Sequence, residues 1–211
     1  MTTQSIAVET LRPTQIALGG KLVKVKRKGL REHEKKPQEL VDYILSNPLR
    51  VVLGPRKLTY VIDHHHLARA LLEEGFDTAP VLVMADLSNL AMPEFWKQME
   101  GQGWLYPYDG KGKRRPISAI PKKIEKMEDD PYRSLAGFVR LGGGFVKTST
   151  PYAEFAWANY YRKHIPAKLL KKNFENALAW AMRLAASADA VALPGYVAKV
   201  VPNEKNKRDD Q

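Results

Sequence analysis

Apolar and polar positions change period several times along the chain, and those changes predict its elements. Residues 1–14 read as extended, with Leu11-Arg12-Pro13-Thr14 leading into the first element. Residues 15–36 carry two signals. Leu18, Leu22, Val25 and Gly29 fit a helical stripe, while Val23 and Val25 alternate with Lys24 and Lys26 as in a strand. Gly19-Gly20 and Gly29 weaken a long helix. Pro37 then suits a first helical position, Leu40, Val41, Ile44 and Leu45 form one apolar face, and Asn47-Pro48 stops it. Two short strands follow, Arg50-Val51-Val52-Leu53 and Thr59-Tyr60-Val61-Ile62, joined by a turn at Gly54-Pro55. Asp63 can cap the next helix, whose buried side is Leu67, Ala70 and Leu71 and whose stop is Gly75. Ala79 to Met84 reads as another strand.

Beyond residue 90 the pattern changes. Pro93 opens a short helix carrying Phe95, Trp96 and Met99. The aromatic stretch Trp104-Leu105-Tyr106-Pro107-Tyr108-Asp109-Gly110 offers a hairpin turn at Asp109-Gly110. From about residue 117 the pattern is helical. Pro121 and Pro131 stand at first helical positions, the second behind Asp130 as cap. Gly142-Gly143-Gly144 ends that helix, and Thr150-Pro151 starts another with Phe155, Trp157, Tyr160 and Tyr161. Pro166 opens the longest, predicted to run to about Ala188. The fold class expected is α/β (α+β): a compact α/β domain over residues 1–116, a helical extension over 117–198 packed on it, and a polar tail over 199–211 expected to be disordered.

Composition narrows the function classes. Cysteine is absent, so no disulfide framework or zinc–thiolate site can form. No leader-like start and no apolar run of about 18 residues is visible, so the expected location is cytoplasmic, with no membrane partner. The net charge is +11, which favours phosphorylated or polyanionic partners over a neutral surface. The charge is clustered. Lys21, Lys24, Lys26, Arg27, Lys28, Arg31, Lys35 and Lys36 share one window, Lys111, Lys113, Arg114 and Arg115 a second, and Lys168, Lys171 and Lys172 a third.

The most distinctive chemistry is Asp63-His64-His65-His66 at a strand-to-helix junction. The first N–H groups of a helix lack internal partners and, with the helix dipole, attract anions. Imidazoles there can donate to phosphate oxygens, and a carboxylate at the cap can hold a phosphate-borne metal or orient a hydroxyl. A metal site built from the three histidines is disfavoured, because neighbouring helical residues diverge by about 100°. The competing structural reading makes Asp63 a cap and one or two of the histidines satisfied core residues. Gly142-Gly143-Gly144-Phe145-Val146-Lys147 lacks the order of a phosphate loop, although Lys147 could reach a ligand. The Trp104-to-Tyr108 stretch could stack a base or close a core.

Ile62-Asp63-His64-His65-His66-Leu67-Ala68-Arg69-Ala70-Leu71 resembles the Asp-Gly-His-His-Arg box of the ParB/sulfiredoxin-like superfamily. The closer resemblance is to its branch of ParB-like nucleases. Leu11-Arg12-Pro13-Thr14-Gln15, Val51-Val52-Leu53-Gly54-Pro55, Ala85-Asp86-Leu87-Ser88, Gly103-Trp104-Leu105-Tyr106-Pro107-Tyr108-Asp109 and Asp130-Pro131-Tyr132-Arg133-Ser134-Leu135-Ala136-Gly137 carry it too, over roughly residues 9–165. It implies a compact α/β fold that binds nucleotide phosphates, as in cytidine-triphosphate-binding partition proteins, free serine kinases and proposed nucleases. Asp63 matches the box aspartate, and His64, His65 and His66 match its phosphate-binding positions. His64 stands where a glycine is usual and His66 where an arginine is usual, which removes a permanent bidentate donor. The missing cysteine excludes sulfiredoxin chemistry.

Three functions follow as expectations. The first is phosphoryl transfer or nucleotide hydrolysis with Mg2+ and ATP, ADP or CTP, acting on a small hydroxyl-bearing acceptor. Here Asp63 is catalytic or holds the nucleotide-bound Mg2+, Glu32 or Glu34 is the base, and His64, His65, His66, Arg69 and Lys147 contact phosphate. The second is a DNA-binding protein or nuclease, and the third a regulatory module without catalysis.

Overall fold

The computed structural model describes residues 3–198; the tail expected over 199–211 lies outside them. A five-stranded mixed sheet runs in the order β1-β6-β4-β5-β2, with β1 (Thr3–Ala7), β2 (Arg12–Pro13), β4 (Leu49–Gly54), β5 (Leu58–Asp63) and β6 (Thr78–Asp86). β4 and β5 form an antiparallel pair, β4 and β6 a parallel one, and β1 closes the β6 edge antiparallel. Side chains alternate between faces along each strand. Val51, Val61 and Val81 therefore enter one core, and Val52 and Tyr60 another.

Three helices cover the first face: α1 (Gly20–Glu34), α2 (Pro37–Ser46) and α3 (His65–Glu73). Val23 and Leu30 of α1 and Leu67, Ala68 and Leu71 of α3 share that core with the sheet. Of the two periods seen in residues 15–36 the helical one holds: Val23 to Lys26, which alternate as in a strand, lie inside α1. Ala17–Leu18 forms a short strand, β3, and the helix starts directly behind it. Gly29 is half-buried with open space about it, so α1 continues through it. α4 (Met92–Gly101) covers the opposite face, where Phe95 and Met99 meet Val52, Tyr60 and Leu105.

The C-terminal half differs from expectation in two places. Pro121 starts no α-helix; residues 117–126 form two short 3-10 turns, and Ile124 and Met127 are buried in the first core. β7 (Glu128–Asp129) then pairs parallel with β3. The second core begins with α5 (Pro131–Leu141) and includes α6 (Ala153–His164), α7 (Ala167–Lys172) and α8 (Phe174–Ala185). The single helix expected from Pro166 is thus two. Asn173 has non-helical backbone (φ −151°, ψ 87°) and its side chain accepts the Asn176 N–H, ending one helix and capping the next. Trp157, Tyr161 and Phe145 fill this second core, with Phe145 stacked on Trp157.

Candidate functional site at the 63–66 turn

β5 delivers Asp63 to the surface, with 53% of its side chain exposed. His64 follows in the left-handed region, φ 69° and ψ 27°, and α3 starts at His65. The expected capping role passes from Asp63 to His64, whose side chain does not cap the helix. Asp63 Oδ1 instead accepts the His64 N–H at 2.7 Å. The first turn of α3 therefore presents backbone donors that no side chain among the described residues satisfies, beside an exposed carboxylate.

The three imidazoles separate into two kinds. His65 is 3% exposed, and its Nε2 accepts the Thr14 N–H at 3.3 Å. Burial pushes its pKa down to about 4, so it is neutral at physiological pH. His66 Nε2 accepts the Gly19 N–H at 3.0 Å. Burial first, and the Arg133 guanidinium next, hold it well below the usual imidazole value. Two of the three histidines thus pin the turn to the segments before α1, and those ring nitrogens are committed. His64 is the ring left over, with Nδ1 buried and unpartnered among the described residues.

The other expected contacts lie elsewhere. Arg69 is one turn into α3, but its guanidinium is held by Glu73 and by the carbonyls of Ile124 and Glu125. Lys147 is exposed, in a segment whose neighbour Val146 bonds to Gly195. Glu32 and Glu34 are exposed at the far end of α1, and Glu32 faces Lys28 at 3.6 Å. The start of α1 adjoins His66, so at 1.5 Å per residue these carboxylates sit roughly 20 Å along the axis from it. Among the described residues no group of three or more His, Asp or Glu side chains could hold a metal ion.

The structure adds residues that sequence reasoning left unassigned. The N-terminal ends of α1 and α5 meet tightly. Lys21 N–H donates to Ser134 Oγ at 3.1 Å, and a Cβ on Gly19 would stand 2.8 Å from Ser134 N. Because Gly19 also bonds His66, the first turn of α5 comes beside the 63–66 turn. It carries Arg133, with 11% of its side chain exposed and Glu154 Oε2 at 3.7 Å from Nη2. Arg140 shares the same carboxylate, its Nε 3.1 Å from Glu154 Oε1. Tyr152, next to Pro151, is also left-handed (φ 58°), and burial together with the nearby Asp63 raises its pKa. Tyr152 packs with Tyr106 and Phe155. The only signal in the sequence was the family-like segment around Asp130-Pro131-Tyr132-Arg133; no spacing rule links residue 133 to residue 63.

A family model described as "Putative ParB-like nuclease" matches residues 4–163. Among solved structures, the crystal structure of protein Atu1540 from Agrobacterium tumefaciens is similar, at 42% identity and a TM-score of 0.85, over 93% of this chain and 98% of that one. No curated protein matches.

Proposed function

The chain belongs to the ParB-like nuclease family, and on that premise we propose that its 63–66 turn binds the phosphates of a nucleotide for phosphoryl transfer or hydrolysis. One observation carries this reading: the uncapped first turn of α3 stands beside the exposed Asp63 carboxylate. The free N–H groups and the helix dipole attract phosphate oxygens. Asp63 Oδ1 is engaged by the His64 N–H, and Oδ2 lies 4.0 Å from His64 Nε2. A single exposed carboxylate suits Mg2+ that arrives on a nucleotide, since such Mg2+ keeps several waters and takes one or two protein carboxylates. The ion would neutralise phosphate charge, and Asp63 would hold it or orient the hydroxyl of a small acceptor.

The test is a thermal-shift screen of ATP, ADP and CTP with and without Mg2+, repeated on Asp63→Asn. The wild type is expected to be stabilised by at least one triphosphate with Mg2+. The variant should keep its fold and lose turnover. No stabilisation by any nucleotide at millimolar concentration would sink the proposal.

A second reading, nucleic-acid binding or cleavage, is favoured by a different observation. Lys24, Arg27, Lys28, Arg31 and Lys35, with Glu32 among them, line one mostly basic depression along α1, and the family description names a nuclease. On this reading the turn would hold a phosphodiester and α1 would track its backbone.

A further inference from the structure

The 63–66 turn contributes no permanent cation, and the nearby Arg69 is tied through Nε to Glu73 and through Nη1 to two carbonyls. Arg133 is different. Its Nε and Nη1 are buried and make no hydrogen bond among the described residues. Its remaining nitrogen, Nη2, faces Glu154 only at 3.7 Å, beyond hydrogen-bond distance. That carboxylate is shared with Arg140, so two guanidinium charges meet one carboxylate. Phe155 covers one face of the Arg133 guanidinium at 5.2 Å, which shields it further from water.

A buried cation with unmet donors costs several kcal/mol unless an anion or hydrogen-bond acceptors compensate. Proteins bear such a cost where a ligand supplies the missing partner. A guanidinium presents paired donors that match two phosphate oxygens. We propose that Arg133 is the receptor for the phosphoryl group bound at the 63–66 turn, reaching it from α5 while the backbone of α3 holds it from the other element. The inference rests on the turn being a phosphate site. It makes the site composite: the α/β part supplies N–H donors and a carboxylate, and the helical extension supplies the charge.

The experiment is calorimetric titration of ATP with Mg2+, and of inorganic pyrophosphate, into the full chain and three variants. Arg133→Met removes the charge at similar volume, and Arg133→Lys keeps charge without paired donors. Arg183→Gln removes an exposed charge on α8 and controls for net charge. Arg133→Met should weaken binding about tenfold or more, since hydrogen bonds to charged groups contribute about 1.5–3 kcal/mol. Arg133→Lys should fall between, and Arg183→Gln should stay within about twofold. The melting temperature of ligand-free Arg133→Met should equal or exceed that of the wild type, while its ligand-induced rise should vanish. Unchanged affinity in Arg133→Met overturns the proposal, as does a lowered ligand-free melting temperature with affinity retained. If Arg133→Met does not fold, equal affinity of Arg133→Lys and wild type overturns it. Absence of binding by the wild type is a separate result, which removes the phosphate site itself.

Discussion

His65, expected to contact phosphate, is placed by the structure in the core. Its ring is buried, bonded to Thr14, and neutral because burial lowers its pKa from 6.5 to about 4. Between those values the unfolded chain binds the proton that the folded chain refuses, so acid favours unfolding. The contribution is fully present above about pH 6.5 and is lost as pH falls toward 4. At its largest it is on the order of 3 kcal/mol. Urea unfolding at pH 7.5 and pH 5 should show the acid sample less stable, and His65→Asn should have a flatter profile. Equal stability of the wild type at both pH values would contradict a buried neutral ring. His64 gives the opposite kind of test. Its left-handed backbone is strained for any side chain but glycine. His64→Gly should therefore raise the urea midpoint, by an amount equivalent to roughly 0.5–1 kcal/mol. A lowered midpoint would mean that the imidazole contributes more than its strain costs.

At the scale of elements, legibility followed locality. β4, β5, α2 and α3 were readable because period, proline and cap signals agreed within a few residues. The break at Asn173 was not, because its flanks, Leu169-Leu170 and Ala177-Leu178, continue one apolar pattern while the cap forms through a single side chain. The 3-10 stretch near Ile124 was not, because its burial depends on α3, far away in sequence. Asp130 was readable as a cap, and it is one: Oδ1 accepts the Tyr132 N–H at 2.9 Å. Its second oxygen holds Arg162 at 2.6 Å, which no local pattern could show. Asp130 is 1% exposed, so Asp130→Ala removes a cap and strands a mostly buried guanidinium. A loss of about 3–5 kcal/mol is expected, read as a large drop in the urea midpoint. A loss under about 1 kcal/mol would show that Arg162 finds other partners. The meeting of α1 and α5 at Gly19 and Ser134 has the same non-local character, and it is what brings Arg133 to the turn.

For the whole molecule, the question is whether the charge of +11 serves a second, polyanionic ligand. The basic face of α1 is less free than its sequence suggests. Arg27 and Arg31 are tied to Glu73 and Glu74, and Arg31 and Arg27 hold the Glu74 carboxyl down at about 2. Lys24, Lys28 and Lys35 are the side chains left to meet phosphate, with Lys28 only loosely drawn to Glu32. If this face binds DNA, each phosphate it neutralises releases counterions, and log K falls with log salt by about 0.9 per contact. Reversing all three lysines to Glu should flatten that slope by about 3 and weaken DNA binding across all sequences. Nucleotide binding in the same variant should fall much less, because Lys28 and Lys35 stand about 12 and 22 Å along the α1 axis from the turn, and only Lys24, about 6 Å along it, is near. DNA binding unchanged in the triple variant would move the nucleic-acid contact off α1. Loss of DNA and nucleotide binding together in a folded variant would mean that the helix and the turn form one continuous surface. A nucleic-acid strand lying along α1 would then reach Asp63, and the nuclease reading would gain over nucleotide transfer.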